Sequence, residues 1–471
     1  MKRRQKAFGF AFILAMAYFL PTSSQANISE TKEKDARFSF PPTVNVESGY
    51  AITIPFSLYN QGSSSIKSIE YSYEIDGKTA TKTSPLRYEA QPGPYPVTTM
   101  LEFPPMAKEG SYNMTLKVLK LDEAENPTKD STLSVLVNIF VNKPKHLPVT
   151  EEYTGTWCPN CPPGLIGLEI MNHKYPDDFI AMSYHCASYN YDIMEVMPRE
   201  RFPDKNVAFP NTNIDRRYAK VDGYDLENNW KNASSNLSPA EITLNAQLDT
   251  IAKRISATAN IKFPLAQKGL QYKLEFVLLA DSLGTKHNGG AYYAFSQSSN
   301  IGGQYSKYPA EEAKIFTDGY STVNGFTFND VVLASSRVKR PDDGIDHYIM
   351  LPKDIESGQT IEESYSFDVS KIEPLSYPTK INLAEGLEDL KVVVLLIGEE
   401  YNKVGTTSDY IMNAAKTKPG KNAATPIRRI STSNKNTSSI HDAFGRKLQK
   451  MQKGLNIITH ADGSTTKVLI P

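Results

Sequence analysis

No stretch of this 471-residue chain restricts its own backbone as tightly as Trp157-Cys158-Pro159-Asn160-Cys161-Pro162-Pro163-Gly164. Two successive prolines supply no backbone N–H, so they fit neither a helix interior nor a central strand. They are tolerated in the first turn of a helix, where those N–H groups would lack partners anyway. The residues that follow fit this placement. Leu165, Leu168 and Met171 recur on one helical face, with Ile166 and Ile170 beside it. A strand candidate, Leu147–Tyr153, precedes the motif, and an apolar one, Phe179–Tyr184, follows the helix. The order strand, Cys-x-x-Cys, helix, strand predicts an α/β unit for residues 146–232.

A Cys-x-x-Cys pair can bind zinc, hold a structural disulfide or exchange electrons. Zinc needs four ligands, and no second pair stands at matching spacing; His173 and His185 are the only nearby imidazoles. We therefore assign no metal. A redox role needs a thiolate at neutral pH, and a helix N-terminus favours one through its unpaired N–H groups and dipole. The spacing places Cys158 at the helix cap and Cys161 in the first turn, with Trp157 as an apolar shield. Cys186 is the third and last cysteine. It could pair with one of the two, join another chain or stay buried as a small hydrophobe. His185 reads as a structural residue at a strand end.

Tyr153-Thr154-Gly155-Thr156-Trp157-Cys158-Pro159-Asn160-Cys161 resembles the active-site segment of the thioredoxin superfamily. Glu151-Glu152-Tyr153-Thr154-Gly155-Thr156-Trp157-Cys158, with Cys161-Pro162 and Gly164, is similar to the thioredoxin-like domain of the family named for outer membrane protein twenty-eight of Gram-negative bacteria. Ser183-Tyr184-His185 and Phe209-Pro210-Asn211-Thr212-Asn213-Ile214-Asp215-Arg216 extend the likeness, which spans roughly residues 147–412. The resemblance implies that Cys158 attacks and Cys161 resolves, through a mixed disulfide on Cys158. It implies that an acid on the preceding strand serves the resolving thiol. Glu151 and Glu152 are adjacent there, and strand alternation turns only one of them inward, with Glu152 in the favoured register. It further implies a cis bond before Pro210, which offers the Phe209 backbone to a substrate peptide, and protein thiols or disulfides as partners. No cofactor beyond a Cys158–Cys161 disulfide is implied. Asn160 departs from thioredoxin itself.

The flanking sequence predicts all-β modules, so the fold class is multidomain, an α/β thioredoxin-like domain flanked by β-sandwiches. Residues 27–145 carry alternating strands, among them Ile66–Ile75 ending at Asp76-Gly77, and suggest an immunoglobulin-like sandwich. Residues 233–413 return to β, with apolar strands at Tyr272–Ala280 and Leu390–Ile397 and long loops over Asn288–Gly325. Residues 414–438 read as a linker. In the tail, 439–471, Ile440-His441-Asp442-Ala443-Phe444-Gly445-Arg446, Lys453-Gly454-Leu455-Asn456-Ile457-Ile458 and Lys467-Val468-Leu469-Ile470 resemble the C-terminal sorting domains of type IX secretion.

At the other end, Lys2, Arg3, Arg4 and Lys6 precede an apolar run from Ala7 to Leu20 and small residues at Ser24-Gln25-Ala26, so residues 1–26 read as a secretory signal. An exported protein of the outer membrane or cell surface is expected, or alternatively one of the periplasm, with a surface protein or glycan as a further partner. Lys+Arg and Asp+Glu both number 52, so no global field recruits nucleic acid. The rival reading is a non-enzymatic surface interaction protein whose Cys-x-x-Cys is only a structural disulfide.

Overall fold

The computed structural model describes residues 32–187, 192–204, 206–284, 295–339, 346–375, 383, 387–401, 407–421, 437–442, 447–448, 450–460 and 465–470. The chain is β-rich, with several separate sheets. The expected signal over 1–26 and most of the 414–438 linker lie outside the described residues.

Two sheets face each other in the N-terminal part. One joins Ala36–Ser39, Ile52–Asn60 and Val97–Phe103; the other is built on Thr43–Glu47, Ile66–Ile75, Lys78–Ala90, Gly110–Leu121 and Leu133–Phe140. Alternation explains the pairing. Ile69, Tyr71, Tyr73 and Ile75 share one buried cluster with Ile54, Phe56, Leu58, Leu101 and Phe103 of the opposing sheet. Asp76 and Gly77 take positive φ values of 51° and 70°, as a two-residue hairpin turn requires. Thr43 and Asn138 bond this unit to Lys268 and Ala266 of the later chain.

A nine-stranded sheet dominates the rest. Its strands, in chain order, are β1 (Val149–Thr154), β2 (Ile180–His185), β3 (Asn211–Ile214), β4 (Tyr218–Val221), β5 (Lys273–Ala280), β6 (Val331–Ser335), β7 (Ile349–Met350), β8 (Leu390–Tyr401) and β9 (Thr407–Thr417). Their spatial order is β4-β3-β1-β2-β6-β5-β8-β9, with β7 paired to β5. The β1–β2 and β2–β6 pairs are parallel, and the other pairs are antiparallel. Helix α1 (Pro162–Lys174) connects β1 to β2, and α2 (Glu227–Ser234) packs beside it through Leu226, Trp230 and Ala233. Leu165 and Ile166 of α1 belong to the same core as Leu274, Phe276 and Leu278 of β5 and Val392, Val394 and Leu396 of β8. That core also takes in Leu248, Ile255, Ala257 and Phe367 from a four-stranded sheet built on Glu241–Asp249, Arg254–Lys262 and Thr360–Asp368.

Two expectations are corrected. The division at 232/233 does not separate two sheets, because β5, β6, β8 and β9 extend the sheet begun by β1 and β2. The linker does not start at 414: Ala414 and Ala415 are buried in β9, opposite Leu395 and Val394. Small alanines are poor strand signals, yet they suit the close packing found there. The 437–470 region forms a four-stranded sheet. Among the described residues no helix is long and apolar enough to cross a membrane.

Candidate functional site

The prolines place the helix start as their chemistry demands. Pro162 and Pro163 occupy the first helical positions of α1, and Cys161 is the N-cap residue. Cys158 therefore lies three residues ahead of the cap, further out than the expected cap position, and Cys161 stands at the cap itself. The intervening turn is closed by Cys158 N–H to Gly155 O at 3.0 Å and Cys161 N–H to Cys158 O at 3.3 Å. The two cysteines are joined as a disulfide. Cys158 is 3% exposed and Cys161 is fully buried, while Pro159 and Asn160 between them are exposed.

Strand alternation holds for Glu151 and Glu152, but the inference that only one would be inward does not. Both are fully buried, because both faces of β1 are covered. Glu152 lies on the α1 side. Thr212 Oγ1, from β3, donates to its Oε2, and its Oε1 has no hydrogen-bond partner among the described residues. The carboxyl fits there because residue 164 has no side chain. A Cβ at Gly164 would stand 2.6 Å from Glu152 Cδ, and one at Gly223 would stand 2.7 Å from Thr212 Oγ1. Glu152 thus touches the first turn of α1, whose Gly164 N–H donates to Cys161 O at 3.1 Å.

Burial pushes the Glu152 carboxyl up to about 8, against the opposing effect of the Thr212 hydrogen bond. The folded chain then keeps a proton that an unfolded carboxyl releases near 4.5. Stability is complete below about pH 4.5 and falls as pH rises towards about 8, by up to roughly 1.4 kcal/mol per unit. Glu152→Gln is expected to remove this slope. Its urea midpoint should exceed the parent's at about pH 9 and approach it at about pH 5. An unchanged slope would place the proton elsewhere.

On the opposite face, Glu151 enters a buried ionic cluster that the sequence reading missed. Arg216 donates to both Glu151 oxygens, at 2.8–3.2 Å, and reaches Glu275 at 3.5 Å. Arg337 Nε and Ser335 Oγ complete Glu275 at 3.1 and 2.6 Å. Burial alone would raise Glu275, but Arg337 and Arg216 hold it below its ordinary range.

The Phe209–Pro210 bond is cis. The Phe209 ring lies 6.0 Å from that of Trp157, and Trp157 Nε1 donates to Cys186 O at 2.7 Å. His185 and Asp192 form a fully buried pair at 2.9 Å, and Asp192 Oδ2 also accepts the Thr156 N–H at 2.8 Å. His185 therefore supports the loop ahead of Cys158. Cys186 is free and buried, its thiol pushed up to about 12 by burial first and by nearby Glu195. That leaves it a poor nucleophile at neutral pH.

Residues 295–300, within the expected long loops, lie along the motif. Ser298 N–H donates to Thr156 O at 2.7 Å, and Asn300 N–H donates to Pro159 O at 3.0 Å. Gln297 is fully buried, and its Nε2 donates to Gly155 O at 3.2 Å and Cys158 O at 3.0 Å. The Asn300 side chain bonds that of Asn160. No periodic signal marks a three-residue strand made of Ser, Gln and Ser.

No family model matches this sequence, and no curated protein matches it. Among solved structures the chain is similar to HBP35 of Porphyromonas gingivalis, at 14% identity and a TM-score of 0.35, over 70% of this chain and 99% of that one. A protein of Agrobacterium tumefaciens is similar at 13% identity and a TM-score of 0.31, over 59% and 96% of the two chains. A CARDB domain from Pyrococcus furiosus is similar at 14% identity and a TM-score of 0.18, over 24% and 90%.

Proposed function

We propose that this chain is an exported outer-membrane or cell-surface protein whose thioredoxin-like unit exchanges thiols and disulfides with protein substrates. The observation that carries the reading is the buried Glu152 carboxyl, set against Gly164 in the helix turn that Cys161 caps, Cys161 being joined to Cys158 as a disulfide. An acid still protonated near neutrality is a proton source for a sulfur leaving a disulfide.

The exchange is written from the disulfide form. A substrate thiolate attacks Cys158 Sγ, the Cys158–Cys161 bond breaks, and Cys161 leaves as a thiolate that takes the Glu152 proton. The second substrate thiol then displaces Cys158. The substrate loses two electrons and becomes a disulfide, and the protein gains them and becomes a dithiol. The substrate thiols release two protons, and the two protein sulfurs take up two, one by way of Glu152. Phe209, beside Trp157, offers backbone for an extended substrate segment.

The burial of both sulfurs supports a second reading, in which the disulfide is a structural clamp and the protein a non-enzymatic surface interaction partner for a protein or glycan. Titration of the purified mature chain against a glutathione series divides the two. A midpoint above roughly −270 mV is expected for a working pair. A pair still oxidised below about −300 mV would leave the clamp.

A further inference from the structure

The 295–300 segment is hydrogen-bonded along both of its edges. Ser299 N–H donates to Ser321 O at 2.9 Å on one edge, while the Ser298 and Asn300 N–H groups point the other way, onto Thr156 O and Pro159 O. Ser296–Ser298 pairs antiparallel with Thr322–Asn324. The side chains alternate as strictly: Phe295, Gln297, Ser299 and Ile301 are buried, while Ser296 and Asn300 are exposed. The carbonyls of Gly155, Thr156, Cys158 and Pro159 are therefore all occupied by one in-chain segment. These are the backbone acceptors that flank the sulfur an incoming thiolate must reach, and exchange rates depend on that access.

We propose that residues 295–300 are an intramolecular strap that occupies the approach to the Cys158–Cys161 disulfide, and that exchange requires an extended peptide to take its place. The proposal rests on the thiol-exchange reading for its biological partner. The mechanical part stands on the strap's own bonds. Phe295 and Ile301 anchor the ends in the core, whereas the segment between them is held chiefly by hydrogen bonds. Such bonds contribute little net free energy each, so local release is accessible well below global unfolding. The replacing segment must supply N–H donors at every second residue and a long amide or other donor side chain in the place of Gln297. Substrates are thereby restricted to unfolded or loop segments, since a folded surface cannot present a free strand edge in that groove.

The test is the rate at which dithiothreitol reduces the disulfide in the full mature chain, read by alkylation of the released thiols. Gln297→Ala removes the amide that bonds Gly155 O and Cys158 O, and Ser298→Pro removes the donor to Thr156 O. Each is expected to speed reduction about tenfold, with the melting transition retained. Equal rates in parent and variants overturn the strap. Should a variant fail to fold, the parent chain reports alone. In urea well below the unfolding midpoint its reduction should already accelerate, with a denaturant slope smaller than that of global unfolding. A rate that is flat, or that tracks only global unfolding, overturns the proposal. A separate arm offers the same proteins a reduced, unfolded protein dithiol. Variants that accelerate with dithiothreitol but never oxidise that substrate retain the strap and reject the exchange reading.

Discussion

Cys158→Ser is expected to reduce protein disulfide exchange to the uncatalysed background, and Cys186→Ser is expected to leave it intact. The contrast follows from position. Cys158 lies on the loop ahead of the α1 cap, beside the exposed Pro159 and Asn160, and its sulfur is the one that an entering thiolate can meet once the strap is displaced. Cys186 sits in an apolar cluster with Tyr184, Met197 and Phe202, and its raised thiol stays protonated at working pH. Cys161→Ser should behave differently again. Exchange stops, but a mixed disulfide accumulates on Cys158, because no second sulfur releases it. Insulin reduction and non-reducing electrophoresis read the two effects. Equal loss in the Cys158 and Cys186 variants would refute the assignment of the third thiol.

The largest expected loss of stability belongs to Arg216→Leu. Glu151 and Glu275 are both fully buried and share the Arg216 guanidinium; Arg337 pairs with Glu275 and with Asp346. Breaking a buried ion pair from one side costs about 3–5 kcal/mol, because the remaining charge is left without compensation. The sign with pH is specific. In the parent, Glu275 is held below its ordinary value, so its contribution is present above about pH 4.5 and is lost as pH falls. In the variant Glu275 loses one of the two guanidiniums that hold it down, so its carboxyl rises and protonates more readily as pH falls. The deficit between variant and parent should therefore be greatest near pH 7 and shrink towards pH 4.5. Adding Glu151→Leu to the variant is expected to recover part of the loss at neutral pH. Urea midpoints at the two pH values measure both effects, and a deficit independent of pH would mean that lost packing, not stranded charge, is the cause.

The parts of the fold legible in the sequence are those fixed by near neighbours. The alternation of Ile69, Tyr71, Tyr73 and Ile75 leads to one buried face, and Pro162-Pro163 marks a helix start, although the cap falls on Cys161, three residues beyond the expected Cys158. What alternation does not reveal is how many faces of a strand are covered. On a half-buried strand only one of Glu151 and Glu152 would turn inward, yet β1 is covered on both sides. The division at 232 failed for a related reason. A run such as Lys273–Ala280 carries no mark of which distant strand it will pair with, and here it prolongs the sheet started by β1 and β2. The segment that carries Glu152, Cys158 and Cys161 is legible in the sequence, since its strand, turn and helix are contiguous. Thr212, Gly164 and Asp192 are ordinary residues until the fold places them, and Gln297 has the composition of a loop.

The distance in sequence between Cys158 and the residue that covers it has a consequence in time. Gln297 follows Cys158 by 139 residues. A chain is made from its N-terminus at about 5–20 residues per second, so the motif precedes its cover by roughly ten seconds. For that interval α1 and the two sulfurs exist without the segment that later closes over them, open to whatever oxidants or reductants the compartment holds. The strap therefore closes over sulfurs that have already met those surroundings, and every later change in their redox state waits on its release.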